Sequence, residues 1–162
     1  MVSDADYAAL EAQLGRPARG VVEVAHRCSC GQPDVVKTAP RLDDGTPFPT
    51  VYYLTCPRAA GSIGTLEAGG VMRDMTEALA ADDELAAQYA RAHERYLEVR
   101  EEIAHVEEIS GISAGGMPNR VKCLHVLVAH SLAEGPGVNP LGDQALAMLD
   151  DWGQNGKCGG CS

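Results

Sequence analysis

Aromatic residues are scarce in this sequence: they make up 4% of the chain and include one tryptophan and one phenylalanine. The core must therefore be built mainly from alanine, valine, leucine and isoleucine. Apolar residues make up 45% of the chain and charged residues 22%, which is typical of a globular protein. Because 162 residues can bury a core without disulfide bonds, we expect a single domain.

Long apolar segments and an excess of positive charge are also missing. No apolar run approaches the roughly 20 residues of a membrane-spanning helix. The first residues, MVSDADYAALEAQLG, contain neither the basic nor the apolar region of a secretory signal. The formal net charge of −10 argues against nucleic acid or an anionic membrane as a partner. We therefore expect a cytoplasmic protein, in which thiols stay reduced.

The periodicity of the chain predicts an α+β domain with a small three-stranded antiparallel sheet packed against several helices. The predicted strands are GVVEVAH (20–26), DVVKTA (34–39) and TVYYLT (50–55). The predicted helices cover 4–14, 57–68, 71–81, 84–109, a segment that ends near 134, and 143–152. Residues 1–152 are expected to form the domain, and 153–162 a flexible tail rich in glycine and cysteine.

Four of the six cysteines are candidate metal ligands. Cys28 and Cys30 follow the first predicted strand, and Cys56 follows the third. Strands one and three of a meander run in the same direction, so these thiols are expected at one edge of the sheet. Cys123 would come from a later helix. Four thiolates suit either zinc or an iron–sulfur cluster, and the spacing does not choose between them.

The segment NRVKCLHVLVAHS adds two histidines to Cys123. In a regular helix, Cys123 and His125 project about 200° apart, and Cys123 and His130 are roughly 10 Å apart along the axis. The three therefore cannot bind one ion from a regular helix. Cys123 and His125 can bind together if the backbone there is extended or only beginning its helix; otherwise His130 is a neighbour of the ligand. Four cysteines are the simpler set, and three with His26 or His125 are the alternative.

Several segments resemble a bacterial family known as domain of unknown function 501, which is frequent in actinobacteria. They are HRCSCG, YLTCP, VKCLH followed by AH, and NPLGD, and the resemblance spans roughly residues 16–149. The cysteines and histidines that fall on motif positions are Cys28, Cys30, Cys56, Cys123, His26, His125 and His130. The resemblance implies no established activity. Neighbouring genes in the family encode enolase, a septum-formation protein and an exopolyphosphatase, which is a hint by association only.

The pair Cys158 and Cys161 lies outside the family motifs. Its C-x-x-C spacing is suited to metal binding or redox chemistry, and we interpret it as an accessory thiol pair. The main functional hypothesis is a metal–thiolate protein in a binding or regulatory role. A second hypothesis is an interaction module for cell division or polyphosphate metabolism, which would bind an unknown protein partner through the acidic segment 94–108.

A third hypothesis is a cysteine- or metal-dependent enzyme acting on a small anionic substrate. Cys56 precedes a helix start that would stabilise a thiolate, and one of the three histidines would be its base. Arg58 or Arg120 could bind the anion, and the segment SAGGMPNR could present backbone N–H groups to it. The simpler interpretation of that segment is a tightly packed helix start. The sequence contains no Walker A loop, no C-x5-R spacing from Cys56 and no H-E-x-x-H motif.

Overall fold

Capping residues set the first helix as the sequence predicts. In the computed structural model, which describes residues 2–149, Ser3 and Asp6 form a reciprocal capping box at its start, and Gly15 ends it in a left-handed conformation. The helices are α1 (Asp4–Leu14), α2 (Pro57–Ala68), α3 (Val71–Ala81), α4 (Asp83–Ile103), α5 (Leu124–Glu134) and α6 (Pro140–Ala147). The strands are β1 (Val21–Arg27), β2 (Pro33–Thr38) and β3 (Tyr52–Leu54), and a short 3-10 helix covers Glu107–Ile109.

The three strands form an antiparallel sheet in the order β1–β2–β3. In the register, Val36 faces Val24 of β1 and Tyr53 of β3. Because both pairings are antiparallel, β1 and β3 run in the same direction, so their C-terminal ends lie at one edge. This confirms the predicted α+β class with its three-stranded antiparallel sheet.

Helix α5 lies at the centre of the fold, packed against β3 and α6. Its side chains at Leu124, Leu127 and Val128 are completely buried, which accounts for the nearly continuous apolar run in this segment. Helix α6 approaches closely, because the position that a Cβ would occupy at Gly142 is filled by the carbonyl oxygen of Leu127. The glycine therefore permits the two helices to touch backbone to backbone.

The long helix α4 buries an apolar stripe and is shorter than predicted. Tyr96 is fully buried, and its hydroxyl accepts a 2.8 Å hydrogen bond from the N–H of Val51, which joins the helix to the sheet. The helix ends at Ile103 and not at 109, because the backbone becomes extended at Ala104. The buried guanidinium of Arg100 stabilises the segment that follows by donating a 2.7 Å hydrogen bond to the carbonyl of Ile109.

The last helix begins earlier than predicted, at Pro140 in place of 143. Asn139 caps it by accepting a 2.9 Å hydrogen bond from the N–H of Gly142, so NPLGD contains the start of a helix. Its last residue in the structure is Ala147. The predicted boundary between domain and tail at 152/153 lies outside the described residues.

Candidate metal centre

The start of helix α5 brings Cys123 and His125 together. Cys123 is the residue before the helix, with an extended backbone (φ −151°, ψ 111°), and the helix begins at Leu124. The 200° separation of a regular helix therefore does not apply, and Sγ of Cys123 lies 3.8 Å from Nδ1 of His125. The structure meets the condition under which these two residues can bind one ion.

A third group, Glu67, reaches the same point from the last turn of helix α2. Its Oε2 atom lies 3.3 Å from Nδ1 of His125 and accepts a 2.9 Å hydrogen bond from the N–H of Leu124. One ligand atom each from Glu67, Cys123 and His125 all lie within 4.8 Å of one another. The three side chains thus present a carboxylate, a thiol and an imidazole to a common point.

Sequence reasoning did not predict Glu67. It comes from an element more than 50 positions away along the chain, with a separation of 58 from His125. One local sign was available: Glu67 lies in the last turn of a predicted helix, where a negative charge opposes the helix dipole. An acidic residue in that unfavourable position indicates a partner elsewhere in the fold.

The second ring nitrogen of His125 is held by the backbone. Nε2 lies 3.2 Å from the carbonyl oxygen of Ala60 in α2 and donates its hydrogen to it. Nδ1 is therefore the atom that faces Cys123 and Glu67. Histidines that bind metals commonly donate the opposite N–H to a carbonyl or carboxylate, which fixes the ring orientation.

The electrostatics of the group favour its ionised forms. Burial opposes ionisation of the Cys123 thiol, but hydrogen bonds from His125 and the N–H of Val126, together with the charge of His125, outweigh it and lower the pKa. The hydrogen bond to Cys123 raises the pKa of His125 to about 9; burial opposes this shift and the charge of Glu67 adds to it. Both shifts favour the charged forms, a thiolate at Cys123 and an imidazolium at His125.

Two distances within the group are close to those around a tetrahedral metal ion. A zinc ion bound by sulfur, nitrogen and oxygen requires roughly 3.6 Å between sulfur and nitrogen and roughly 3.3 Å between nitrogen and oxygen. The observed separations are 3.8 Å between Cys123 and His125 and 3.3 Å between His125 and Glu67. The third pair of ligand atoms, from Cys123 and Glu67, lies within 4.8 Å.

Cys123 and His125 line a cleft of about 430 Å³, which we call the β3 cleft. The side chain of His125 is 33% exposed and that of Glu67 22%, so the site is partly shielded from solvent. The residues that line the β3 cleft are Gln13, Leu14, Thr50, Tyr52, Tyr53, Leu54, Thr55, Pro57, Ala60, Cys123, His125 and Val126. No lysine or arginine is among them, and most of the lining is apolar or aromatic.

The four predicted cysteines do not gather at one point in the described part of the chain. Cys28 and Cys56 are buried and Cys30 is exposed. Within residues 2–149, the group of three or more cysteine, histidine or acidic side chains close enough to share an ion is the one that contains Cys123. Strands β1 and β3 end at the same edge of the sheet, as predicted, but Cys28, Cys30 and Cys56 are not members of that group.

The other two predicted histidines have separate environments. Nδ1 of His26 lies 2.8 Å from Oδ1 of the buried Asp34. His130 is fully buried, stacks on Tyr52 and contacts the side-chain amide of Asn139 at 3.2 Å. Neither belongs to the group around Cys123, so His130 is a core residue of helix α5.

The predicted anion-binding arginines lie in different places. Arg58 is the second residue of helix α2 and is exposed. Arg120 is exposed three residues before Cys123, and its carbonyl accepts a 2.9 Å hydrogen bond from the hydroxyl of Tyr89. The tail thiols Cys158 and Cys161 lie outside the described residues.

Comparisons with known proteins identify the family and nothing more specific. No described helix has both the length and the apolar character needed to span a membrane. Neither a curated protein nor a solved structure was found to match the chain. The family model described as a protein of unknown function, DUF501, matches residues 24–147, so the chain belongs to that family.

Proposed function

We propose that this protein binds one zinc ion through Glu67, Cys123 and His125, and that the fourth coordination position takes a small molecule from the β3 cleft. The convergence of three different ligand atoms within 4.8 Å of one another carries this proposal. Three protein ligands with one open position are typical of catalytic zinc sites, whereas structural sites are closed by a fourth residue. The cytoplasmic location expected from the sequence would keep Cys123 reduced.

The mixture of ligands favours zinc over the other candidate cofactor. Iron–sulfur clusters are held mainly by several thiolates, and this group supplies one, from Cys123. Magnesium and calcium prefer oxygen ligands, whereas thiolate and imidazole together suit zinc. A mononuclear zinc site is therefore the form of the metal–thiolate hypothesis that the geometry supports best.

A second candidate function is a cysteine nucleophile, supported by the lowered pKa of Cys123 beside His125. In such enzymes a carboxylate commonly orients the histidine through the ring nitrogen opposite the nucleophile. Here Cys123 and Glu67 both face Nδ1, and Nε2 faces the carbonyl of Ala60. Glu67 is therefore placed as a ligand beside Cys123 and not as the group that orients the histidine, which favours the metal site over the nucleophile.

Zinc content and zinc affinity of the full-length protein test the proposal. We expect one zinc per chain, with loss of that zinc in Glu67→Gln and in His125→Gln. The matched control is Cys30→Ser, which removes a predicted thiol ligand that lies outside the group and should retain the ion. Glu67 is the decisive position, because the four-cysteine site does not contain it.

The opposite pattern of zinc retention in these variants would favour the four-cysteine site that the sequence predicts. Zinc retained in Glu67→Gln but lost in Cys30→Ser would support a cluster of thiols. A double variant, Cys158→Ser with Cys161→Ser, removes the tail pair as a second source of bound metal. Alkylation of Cys123 gives an independent measurement: the reaction should be fast in the metal-free protein and blocked by zinc.

A further inference from the structure

Cys123 lines a second cleft in addition to the β3 cleft. This second cleft, which we call the glycine cleft, measures about 450 Å³ and is formed by one segment of chain between α4 and α5. Its lining residues are Ile112, Ser113, Ala114, Gly115, Gly116, Met117, Asn119, Arg120, Lys122 and Cys123. The candidate metal ligand Cys123 therefore lines both clefts.

The glycine cleft carries two positive charges that are not paired with any acidic group of the described residues. Arg120 and Lys122 are exposed and line it, and neither forms an ion pair within residues 2–149. The cleft lining contains no aspartate or glutamate. In a chain of net charge −10, by contrast, Arg27, Arg41 and Arg95 each contact a carboxylate. Two such cations lining one cleft create a local attraction for anions.

The backbone that carries these two cations is fixed by close packing. Gly116 has a positive φ of 90°, and a Cβ there would lie 2.8 Å from the carbonyl oxygen of Arg120. The N–H of Lys122 donates a 2.8 Å hydrogen bond to the carbonyl of Gly115. The hydroxyl of Tyr89, from helix α4, donates to the carbonyl of Arg120 at 2.9 Å. The backbone under both cations is therefore preorganised, which lowers the entropy lost on binding.

We propose that the glycine cleft binds an oxyanion, a phosphate or a carboxylate, of the small molecule that reaches the metal ion. Arginine and lysine bind both oxyanions through charge-assisted hydrogen bonds. The β3 cleft, which lacks basic residues, then receives the apolar part of the same molecule. This inference rests on the proposed metal site for the position of the reacting group, but the oxyanion site itself is defined by Arg120 and Lys122.

Titration of the full-length protein with inorganic phosphate, and separately with acetate, tests the oxyanion site. Backbone amide NMR shifts report where each anion binds, and the zinc-loaded and zinc-free proteins are titrated in parallel. We expect shifts at Gly115, Gly116 and Lys122, and an affinity roughly tenfold or more lower in Arg120→Gln/Lys122→Gln. The control is Arg91→Gln, which removes an exposed charge of helix α4 outside both clefts and should leave the affinity unchanged.

The two anions separate the chemistry of the ligand. Binding of phosphate alone assigns a phosphoryl group to the ligand, and binding of acetate alone assigns a carboxylate. Binding of both leaves the ligand defined as an oxyanion of either kind. Unchanged affinity in the double variant, shifts that map elsewhere, or no binding of either anion would overturn the oxyanion site.

Zinc content separates this proposal from the proposed function. The double variant Arg120→Gln/Lys122→Gln should keep its zinc, and Glu67→Gln should lose zinc while phosphate or acetate still shifts Gly115 and Gly116. A wild-type protein that binds either anion at the glycine cleft but no zinc would remove the metal site and retain the oxyanion site. A wild-type protein that binds zinc but neither anion would retain the metal site and remove the oxyanion site.

Discussion

The carboxylate of Glu67 accepts a 2.9 Å hydrogen bond from the backbone N–H of Leu124, although 57 positions separate the two residues. Its Oε2 atom also lies 3.3 Å from Nδ1 of His125. The N–H at the start of helix α5 thus holds the carboxylate next to the imidazole. This contact orients Glu67 before any ion binds, which is what a preorganised metal site requires.

Two substitutions of Glu67 should separate metal binding from stability. Glu67→Gln keeps an oxygen for the N–H of Leu124 but removes the charge of a direct ligand. It should lower the zinc affinity by more than the roughly 10- to 100-fold that outer-shell substitutions cost, with little loss of stability. Glu67→Asp is one methylene shorter and should lose both the zinc affinity and about 1 kcal/mol of unfolding free energy. Chelator competition and urea unfolding measure the two effects. Equal zinc affinity in all three proteins would contradict the role of Glu67.

His130 should make the protein less stable as the pH falls from neutral. Burial lowers its pKa to about 4, from an ordinary value of 6.5, and the nearby charges of Glu134, Arg95 and Asp143 do not reverse this. The unfolded chain therefore takes up a proton at a pH at which the native state does not. The free energy of unfolding should fall between pH 6.5 and about 4, by an amount on the order of 3 kcal/mol.

The variant His130→Gln isolates this contribution from the titration of carboxylates. It should be less stable than the wild type at neutral pH, because it loses the ring contacts with Tyr52 and Tyr96. Its stability should then decline less steeply below pH 6.5. Urea unfolding at a series of pH values measures how steeply the stability of each protein depends on pH. Equal slopes for the variant and the wild type would show that the pKa of His130 is not lowered in the native state.

The ion pair of Asp6 and Arg27 should stabilise the protein at neutral pH and lose its effect in acid. Both terminal nitrogens of Arg27 donate to the carboxylate, at 2.8 and 2.9 Å, and hold the pKa of Asp6 far below its ordinary range. Such a group contributes stability above the ordinary pKa of about 4, and that stability is lost as the pH falls towards the lowered value. Asp6→Asn should therefore cost about 1–3 kcal/mol at pH 7.

The matched control for this pair is Asp4→Asn, in the same first turn of helix α1. Asp4 is exposed and lies at the favourable end of the helix dipole, so its loss should cost about 0.5 kcal/mol. Thermal or urea unfolding compares the two variants with the wild type. The gap between Asp6→Asn and the wild type should narrow in acid, and a gap independent of pH would contradict the ion pair as its cause.

The close contact of helices α5 and α6 should not tolerate a methyl group at Gly142. A Cβ there would overlap the carbonyl oxygen of Leu127, and no flexible side chain can move to relieve the overlap. Gly142→Ala should therefore destabilise the fold by about 1–3 kcal/mol or more. Gly61→Ala, in helix α2 with no atom within 4 Å of the new Cβ, should instead raise stability by about 0.5–1 kcal/mol. Urea unfolding of both variants measures the contrast.

Local chemistry was enough to predict most of the elements. Ser3 and Gly15 have the residue types that start and end a helix, and both do so at α1. Helix α3 has the predicted bounds 71–81, because Gly70 precedes it and Asp82 can cap the helix that follows. The meander follows from three short β-rich segments joined by turns, and its antiparallel pairing is confirmed.

Non-local contacts decided what the sequence could not predict. The end of helix α4 depends on a hydrogen bond from Arg100 to a carbonyl nine positions later, and helix propensities cannot predict such a contact. The candidate site depends on Glu67, whose partners at the start of α5 become neighbours only after the chain has folded. Cysteine spacing instead indicated Cys28 and Cys56, whose side chains are buried.

The separation of 58 positions between Glu67 and His125 gives a bound ion a second role, as a reversible cross-link. An ion bound by Glu67 and His125 would close a loop of about 58 residues, also in an unfolded chain that retains the ion. The loop-entropy relation used for disulfides assigns this closure a stabilisation of about 4 kcal/mol. Unlike a disulfide, this link would be set by the concentration of the free ion. The resistance of the fold to unfolding would then follow the supply of metal, and chelation would loosen α2 from α5 without breaking a covalent bond.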